Sequence, residues 1–101
     1  MAVTPIPALQ TVITTGGIAV TVFAANPNGG LIQNPLLAVD EGVPHAEPLY
    51  IDPTGADPTT QNNGTTFALQ PGQTWPVIPN QTTPTKANAV TTNHKFAGVS
   101  W

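Results

Sequence analysis

Apolar and polar side chains alternate with a period of two along much of this chain. In Gly17-Ile18-Ala19-Val20-Thr21-Val22-Phe23, residues Ile18, Val20 and Val22 fall on one side while Ala19, Thr21 and Phe23 fall on the other, the spacing of a strand. A strand is therefore expected over 18–25. Shorter apolar runs predict further strands over 31–37, 49–52, 65–70, 74–78 and 95–101, with a weaker one over 87–91. Twelve Pro and nine Gly are spread from Pro5 to Gly98, and outside the 18–25 stretch they leave no breaker-free window with helical spacing.

Turn chemistry separates the runs. Asn26-Pro27-Asn28-Gly29-Gly30 combines a proline that presets φ with glycines that accept positive φ, which predicts a tight reversal joining two antiparallel strands. Pro53-Thr54-Gly55, Asn62-Asn63-Gly64 and Pro71-Gly72 read as turns by the same logic. About six to eight short strands between such signals predict an all-β fold, a single small antiparallel β-sandwich or barrel. Its expected core is Ile18, Val20, Val22, Leu31, Leu49, Ile51, Phe67, Leu69, Trp75, Val77 and Phe96.

Residues 1–15 stand apart as an extended N-terminal arm ahead of a β-sandwich domain over 16–101. Thr4-Pro5-Ile6-Pro7 forces an extended path and removes two backbone donors. Val3, Ile6, Leu9, Val12 and Ile13 make the arm apolar, so it needs cover, either from its own sandwich or from a neighbouring subunit. Those five residues, together with Trp101, are the expected assembly contacts.

Composition narrows the function. Only 7% of residues are charged, with two Lys and no Arg, where a soluble domain carries about a quarter. That leaves little with which to run a reaction, and a non-enzymatic role is expected. The formal charge of -3, with both Lys residues late in the chain, gives no basic stripe for phosphates, so no nucleic-acid partner is expected. No apolar run approaches the roughly 20 residues that span a bilayer, and Met1-Ala2-Val3-Thr4-Pro5 does not open like a signal peptide. No membrane partner is expected, and the chain reads as a soluble product made in a cytoplasm. Cysteine is absent, which removes disulfides, thiolate metal sites and cysteine nucleophiles together. Low surface charge suits a subunit held among neighbours better than a freely diffusing monomer.

The constellations that could carry chemistry are few. Ser100 is the only serine, His94 lies six residues before it, and nothing around it resembles a nucleophile elbow, so it reads as an ordinary strand residue. His45, Glu47 and His94 are of metal-ligand type but lack a recognised spacing, and the histidines read as surface residues. Asp40, Glu41, Glu47, Asp52 and Asp57 all fall within 40–57, which could crowd oxygens around a calcium ion. Their spacing matches no known loop, and they read as solvated acids. No catalytic, cofactor-binding or metal residue is expected, and no cofactor. Tyr50, Trp75 and Trp101 could form a flat platform for sugar rings, which keeps a carbohydrate-binding module as an alternative. Against it, Trp75 reads as buried and Trp101 as the plug of a groove or interface. Asn63-Gly64-Thr65 and Asn80-Gln81-Thr82 have the form of glycosylation sites but read as turns.

The succession of Gly16-Gly17 before a strand, Ala25-Asn26-Pro27-Asn28-Gly29-Gly30-Leu31-Ile32-Gln33-Asn34-Pro35, Leu49-Tyr50-Ile51-Asp52 and Phe67-Ala68-Leu69-Gln70-Pro71-Gly72-Gln73-Thr74-Trp75 resembles small virion proteins of tailed bacteriophages. In that group a first strand ends in an Asn-Pro turn, a short strand of the form Leu-Tyr-Ile follows the second, and a Leu-x-Pro-Gly hairpin leads to the closing strands. The resemblance covers residues 16–101. It implies no catalytic site and a role as a head decoration, cement or minor capsid protein, with tail, neck or fibre-attachment proteins as the alternative. The partners it implies are the major capsid protein or other virion proteins, with a homo-oligomer in the assembly and a location in a virion assembled in the host cytoplasm.

Overall fold

A computed structural model describes residues 4–36 and 46–101. The described chain is all-β, as the alternation predicts, with ten short strands. They are β1 (Ile6–Pro7), β2 (Val12–Ile13), β3 (Val20–Phe23), β4 (Gly30–Gln33), β5 (Leu49–Asp52), β6 (Phe67–Leu69), β7 (Thr74–Val77), β8 (Thr85–Asn88), β9 (His94–Lys95) and β10 (Ala97–Ser100). One four-stranded sheet has the order β1-β10-β4-β7, a second has β3-β8-β5-β6, and β2 pairs β9 alone. All the pairings are antiparallel.

One apolar core joins the two sheets. Ile32 and Val77 from the first meet Val20, Val22, Leu49, Ile51, Leu69 and Ala87 from the second, with Ile13 and Phe96 closing the cluster. Each large side chain so buried contributes about 1.5–3 kcal/mol relative to exposure. At one open side, Phe67 of β6 and Trp75 of β7 touch across the sheets, ring centroids 5.1 Å apart and tilted by 40°.

Four expected core residues lie outside the buried cluster, one of them, Trp75, half-buried and packed against it. Ile18 is 63% exposed because β3 begins only at Val20. A turn in which Ile18 N–H donates to Thr15 carbonyl precedes the strand, with Gly17 at φ 86°, and it points Ile18 outward. Leu31 is 42% exposed because the inward positions of β4 are Gly30 and Ile32. Gly30 lets β10 and β7 come close: a methyl there would stand 2.9 Å from the Val99 carbonyl oxygen and 3.2 Å from Val77 Cγ2. Phe67 shares a face with Leu69 but sits at the rim, where Trp75 covers only part of it.

Two expected hairpins are sheet crossings instead. The 26–30 segment joins β3 to β4, and 70–73 joins β6 to β7, strands that belong to different sheets. Hydrogen bonds of the first turn go to other elements rather than across it. Asn26 N–H donates to Gln81 carbonyl, Asn28 N–H to Trp101 carbonyl, and Asn80 N–H to Pro27 carbonyl. β3 and β4 both carry apolar inward faces, and across the core from one another each buries that face against the opposite sheet.

The arm lies on its own domain. β1 pairs β10, with Ile6 opposite Ser100 and Pro7 opposite Val99. Ala8 N–H donates to Gly98 carbonyl at 3.4 Å, and Phe96 N–H to Thr11 carbonyl at 2.9 Å. β2 then extends this pairing to β9. Leu9 N–H also donates to Val22 carbonyl, so the arm straps one sheet to the other.

Candidate functional site

The main polar cluster inside the fold is a triad of Asn34, Glu47 and His94, all buried. Asn34 directly follows β4, Glu47 stands two residues before β5, and His94 opens β9. The Asn34 amide nitrogen donates to the carbonyls of Glu47 and Leu69, both at 2.8 Å, which fixes its oxygen as the atom facing the ring. That oxygen lies 2.7 Å from His94 Nε2, and Glu47 Oε1 lies 2.9 Å from His94 Nδ1. Both ring nitrogens thus face oxygen atoms held by the rest of the cluster. Thr91 adds an N–H to Glu47 Oε1 at 3.0 Å and a hydroxyl to Oε2 at 2.8 Å.

Burial raises the pKa of Glu47, but the hydrogen bonds from His94 and Thr91 and the charge of His94 outweigh it and hold the carboxyl below its ordinary value. Among the described residues the ring reaches no nucleophile: Asn34 occupies Nε2, the position from which a base would take a proton. Chemically the arrangement is a brace between strand ends. The expected surface histidine and solvated acid are here a buried pair, while His45, Asp40 and Glu41 lie outside the described residues. Residues 13 and 60 apart in sequence meet in this triad, so no local motif announces it. One signal was present: His94 is two positions before Phe96, hence on the inward side of an alternating strand.

Asp52 is the second buried acid that reads as solvated from sequence. It ends β5 inside a ring of threonines, accepting from Thr54 N–H at 2.8 Å, Thr54 Oγ1 at 2.6 Å and Thr65 Oγ1 at 2.8 Å. Burial raises its pKa, and these bonds lower it further than burial raises it, so the carboxyl stays ionised below its ordinary value. Asp57 pairs with Lys86 at 2.9 Å. Among the described residues, no group of three or more His, Asp or Glu is placed to hold a metal ion.

The expected assembly contacts separate. Ile13 is buried in the core and offers nothing to a neighbour, and Val12 is half-buried. Ile6 and Leu9 stay at the surface, 53% and 65% exposed. Val3 lies outside the described residues. Trp101 lays its indole over Gly29, so close that a methyl on that glycine would stand 2.8 Å from Nε1. Ile6, Leu9, Phe23, Pro27 and Trp101 line a groove of about 280 Å³ beside the arm. The aromatics do not form one platform. Tyr50 belongs to the β5 sheet, whereas Trp75 and Trp101 are carried by the sheet containing β7 and β10.

Fold and cluster together define a small β-sandwich protein with a polar brace inside it. Comparison with protein-family models, with curated proteins and with solved structures finds no match to this chain.

Proposed function

We propose that this chain is a non-enzymatic structural subunit of a bacteriophage virion, a capsid decoration or cement protein that binds and reinforces the head shell. The observation that carries this reading is a division of labour between polar and apolar groups. Asn34, Glu47, His94 and Asp52 are spent on bonds inside the fold, while Ile6, Leu9, Leu31, Leu36 and Ile78 are left exposed in a chain with only 7% charged residues. Such a surface suits burial among neighbours. The resemblance of residues 16–101 to small virion proteins points the same way.

Each contact would contribute about 25 cal/mol per Å² of apolar surface buried, before the cost of association. Repetition over a symmetric shell makes a modest contact effective through many copies. Light scattering and co-sedimentation, with and without purified phage capsids, test this. A monomer or small oligomer that sediments with capsids supports the reading. A protein that ignores capsids overturns the head assignment and directs attention to tail, neck and fibre parts.

A further inference from the structure

The β1-β10-β4-β7 sheet turns one face to the core and the other to solvent, and register fixes what the outer face carries. Pro7 stands opposite Val99, Val99 opposite Leu31, and Leu31 opposite Pro76, an uncharged apolar row across all four strands. Beside it Ala97, Gln33 and Thr74 form a second uncharged row. Leu31, Val99 and Ala97 line a shallow depression between them. Trp101 over Gly29 and the exposed Ile78 extend the apolar surface past the row.

The edges of the same sheet are closed to pairing. Since Ala8 N–H points at β10, the backbone nitrogen of Pro7 points away from the sheet, where it has no hydrogen to offer. On β7 the Gln73 carbonyl faces Asn34 N–H, so alternation turns the nitrogen of Pro76 outward as well. Prolines at outward positions on both edges oppose growth of the sheet edge to edge, which leaves its face for association.

We propose that this outer face packs against the same face of a second copy of the chain, sheet on sheet. With a two-fold axis along the Pro7–Val99–Leu31–Pro76 row, the row meets itself and every apolar side chain faces an apolar one. Electrostatics permits this. Alternation puts Lys95 on the same side as Ala97 and Val99, four residues from the row, so about 14 Å away at strand spacing. The axis sends the two copies of Lys95 to opposite ends, roughly 27 Å apart, well beyond a Debye length of about 8 Å. Asp52, Asp57 and Lys86 lie on or beside the other sheet, so among the described residues this contact brings no like charges together.

Area sets the strength. Four strands of four residues or fewer cover about 300 Å², against roughly 800 Å² per partner in a stable complex. The contact is therefore weak in solution and operates where copies are held close together, as on a shell, and in that respect it rests on the proposed function.

Two-dimensional amide NMR and sedimentation velocity over about 1 µM to 1 mM test it on the intact chain, a range set by the small area. The expected result is a monomer at the low end, with concentration-dependent shifts at Leu31, Val99 and Ala97 at the high end. Leu31→Glu should weaken association at least about tenfold, as a charge buried without a partner does. Val90→Glu, exposed and away from this sheet, should leave it unchanged. If Leu31→Glu does not fold, Pro76→Glu makes the same test from the edge strand. No concentration dependence to about 1 mM, or equal effects of the face variants and Val90→Glu, overturns the inference. Capsid binding without self-association removes this inference and keeps the virion reading; self-association without capsid binding does the reverse.

Discussion

Replacing His94 by Ala probes the interior brace directly. The ring supplies two of the triad's bonds, 2.9 Å to Glu47 and 2.7 Å to Asn34. Its loss leaves the Asn34 oxygen facing the space the ring filled and takes a charge-assisted partner from a buried carboxylate. Each buried acceptor left without its donor costs about 1–3 kcal/mol, a large share of the roughly 5–15 kcal/mol that holds a domain folded. For a domain of this size each kcal/mol moves the melting temperature by about 4–8 °C, so with two acceptors left without donors His94→Ala should melt at least about 8 °C lower at pH 7. His94→Gln retains one donor and should fall between the variant and the parent.

The acid limb of the stability curve identifies which bond is responsible. Glu47 has its folded pKa held below its ordinary value of 4.5. The stability it contributes is fully present above that value and is lost as pH falls through the lower folded one. Asp52, also depressed, behaves in the same way below its ordinary value of 3.8. The parent should therefore lose stability progressively as pH falls below about 4.5. His94→Ala should show a shallower loss, because one of the bonds that depresses Glu47 is gone while the Asp52 contribution remains. Urea titrations at steps between about pH 3 and 7 measure this. A variant melting within about 4 °C of the parent, or an acid limb of unchanged slope, would refute a buried, charge-assisted triad.

Three further outcomes follow from particular contacts. The chain contains no cysteine, so Pro7→Cys with Val99→Cys introduces a unique pair; opposite residues that share no hydrogen bond sit about 4.5 Å apart, within disulfide reach. Non-reducing gels of dilute protein should show an intrachain-linked monomer, and failure of that monomer to form would contradict the β1–β10 pairing. Gly16→Ala would place a methyl 2.0 Å from the Val90 carbonyl oxygen and 2.9 Å from Thr92 N, backbone that cannot swing aside. A loss of about 2–3 kcal/mol is expected in denaturant melts, and a neutral result would contradict this close approach. Asp52→Asn puts an amide hydrogen among the Thr54 and Thr65 donors and should cost about 1.5–3 kcal/mol, while removing the Asp52 share of the acid limb.

Strands were legible where alternation is local, and their partners were not. Val20, Val22, Leu49, Ile51, Leu69, Val77 and Phe96 reach the core as their spacing predicts. Leu31 and Ile32 are adjacent and both apolar, so spacing alone could not say which faces inward; the close approach of β10 and β7 at Gly30 puts the side-chain-free position on the inward side with Ile32. The turn at 26–30 was visible as a turn, yet a Pro-Asn-Gly-Gly segment serves a hairpin and a sheet crossing equally well. What separates them is the distant set of partners, Gln81, Asn80 and Trp101. The triad failed to show for the same reason. Glu47 and His94 carry composition cues of surface residues, and only the meeting of β4, β5 and β9 supplies the bonds that allow them to be buried.

The arm gives the last test, because its two halves do different things. β1 is a two-residue strand with exposed side chains, whereas Ile13 of β2 is a core residue with no exposed surface. Among the described residues, deleting 1–7 removes little more than the β1 pairing, and it should cost no more than about 1.5 kcal/mol, the worth of a hydrogen bond or so. Deleting residues 1–15 also strips Ile13, whose truncation alone costs about 2–5 kcal/mol, together with the Leu9–Val22 strap. The longer deletion therefore cannot report on assembly, since it weakens the fold and any contact together. The shorter one can. If deleting 1–7 abolishes capsid binding while melting stays within about 6 °C of the parent, Ile6 and its neighbours act between subunits. If the 1–15 deletion melts like the full chain, Ile13 does not close the core, and the assignment of the arm to its own domain falls with it.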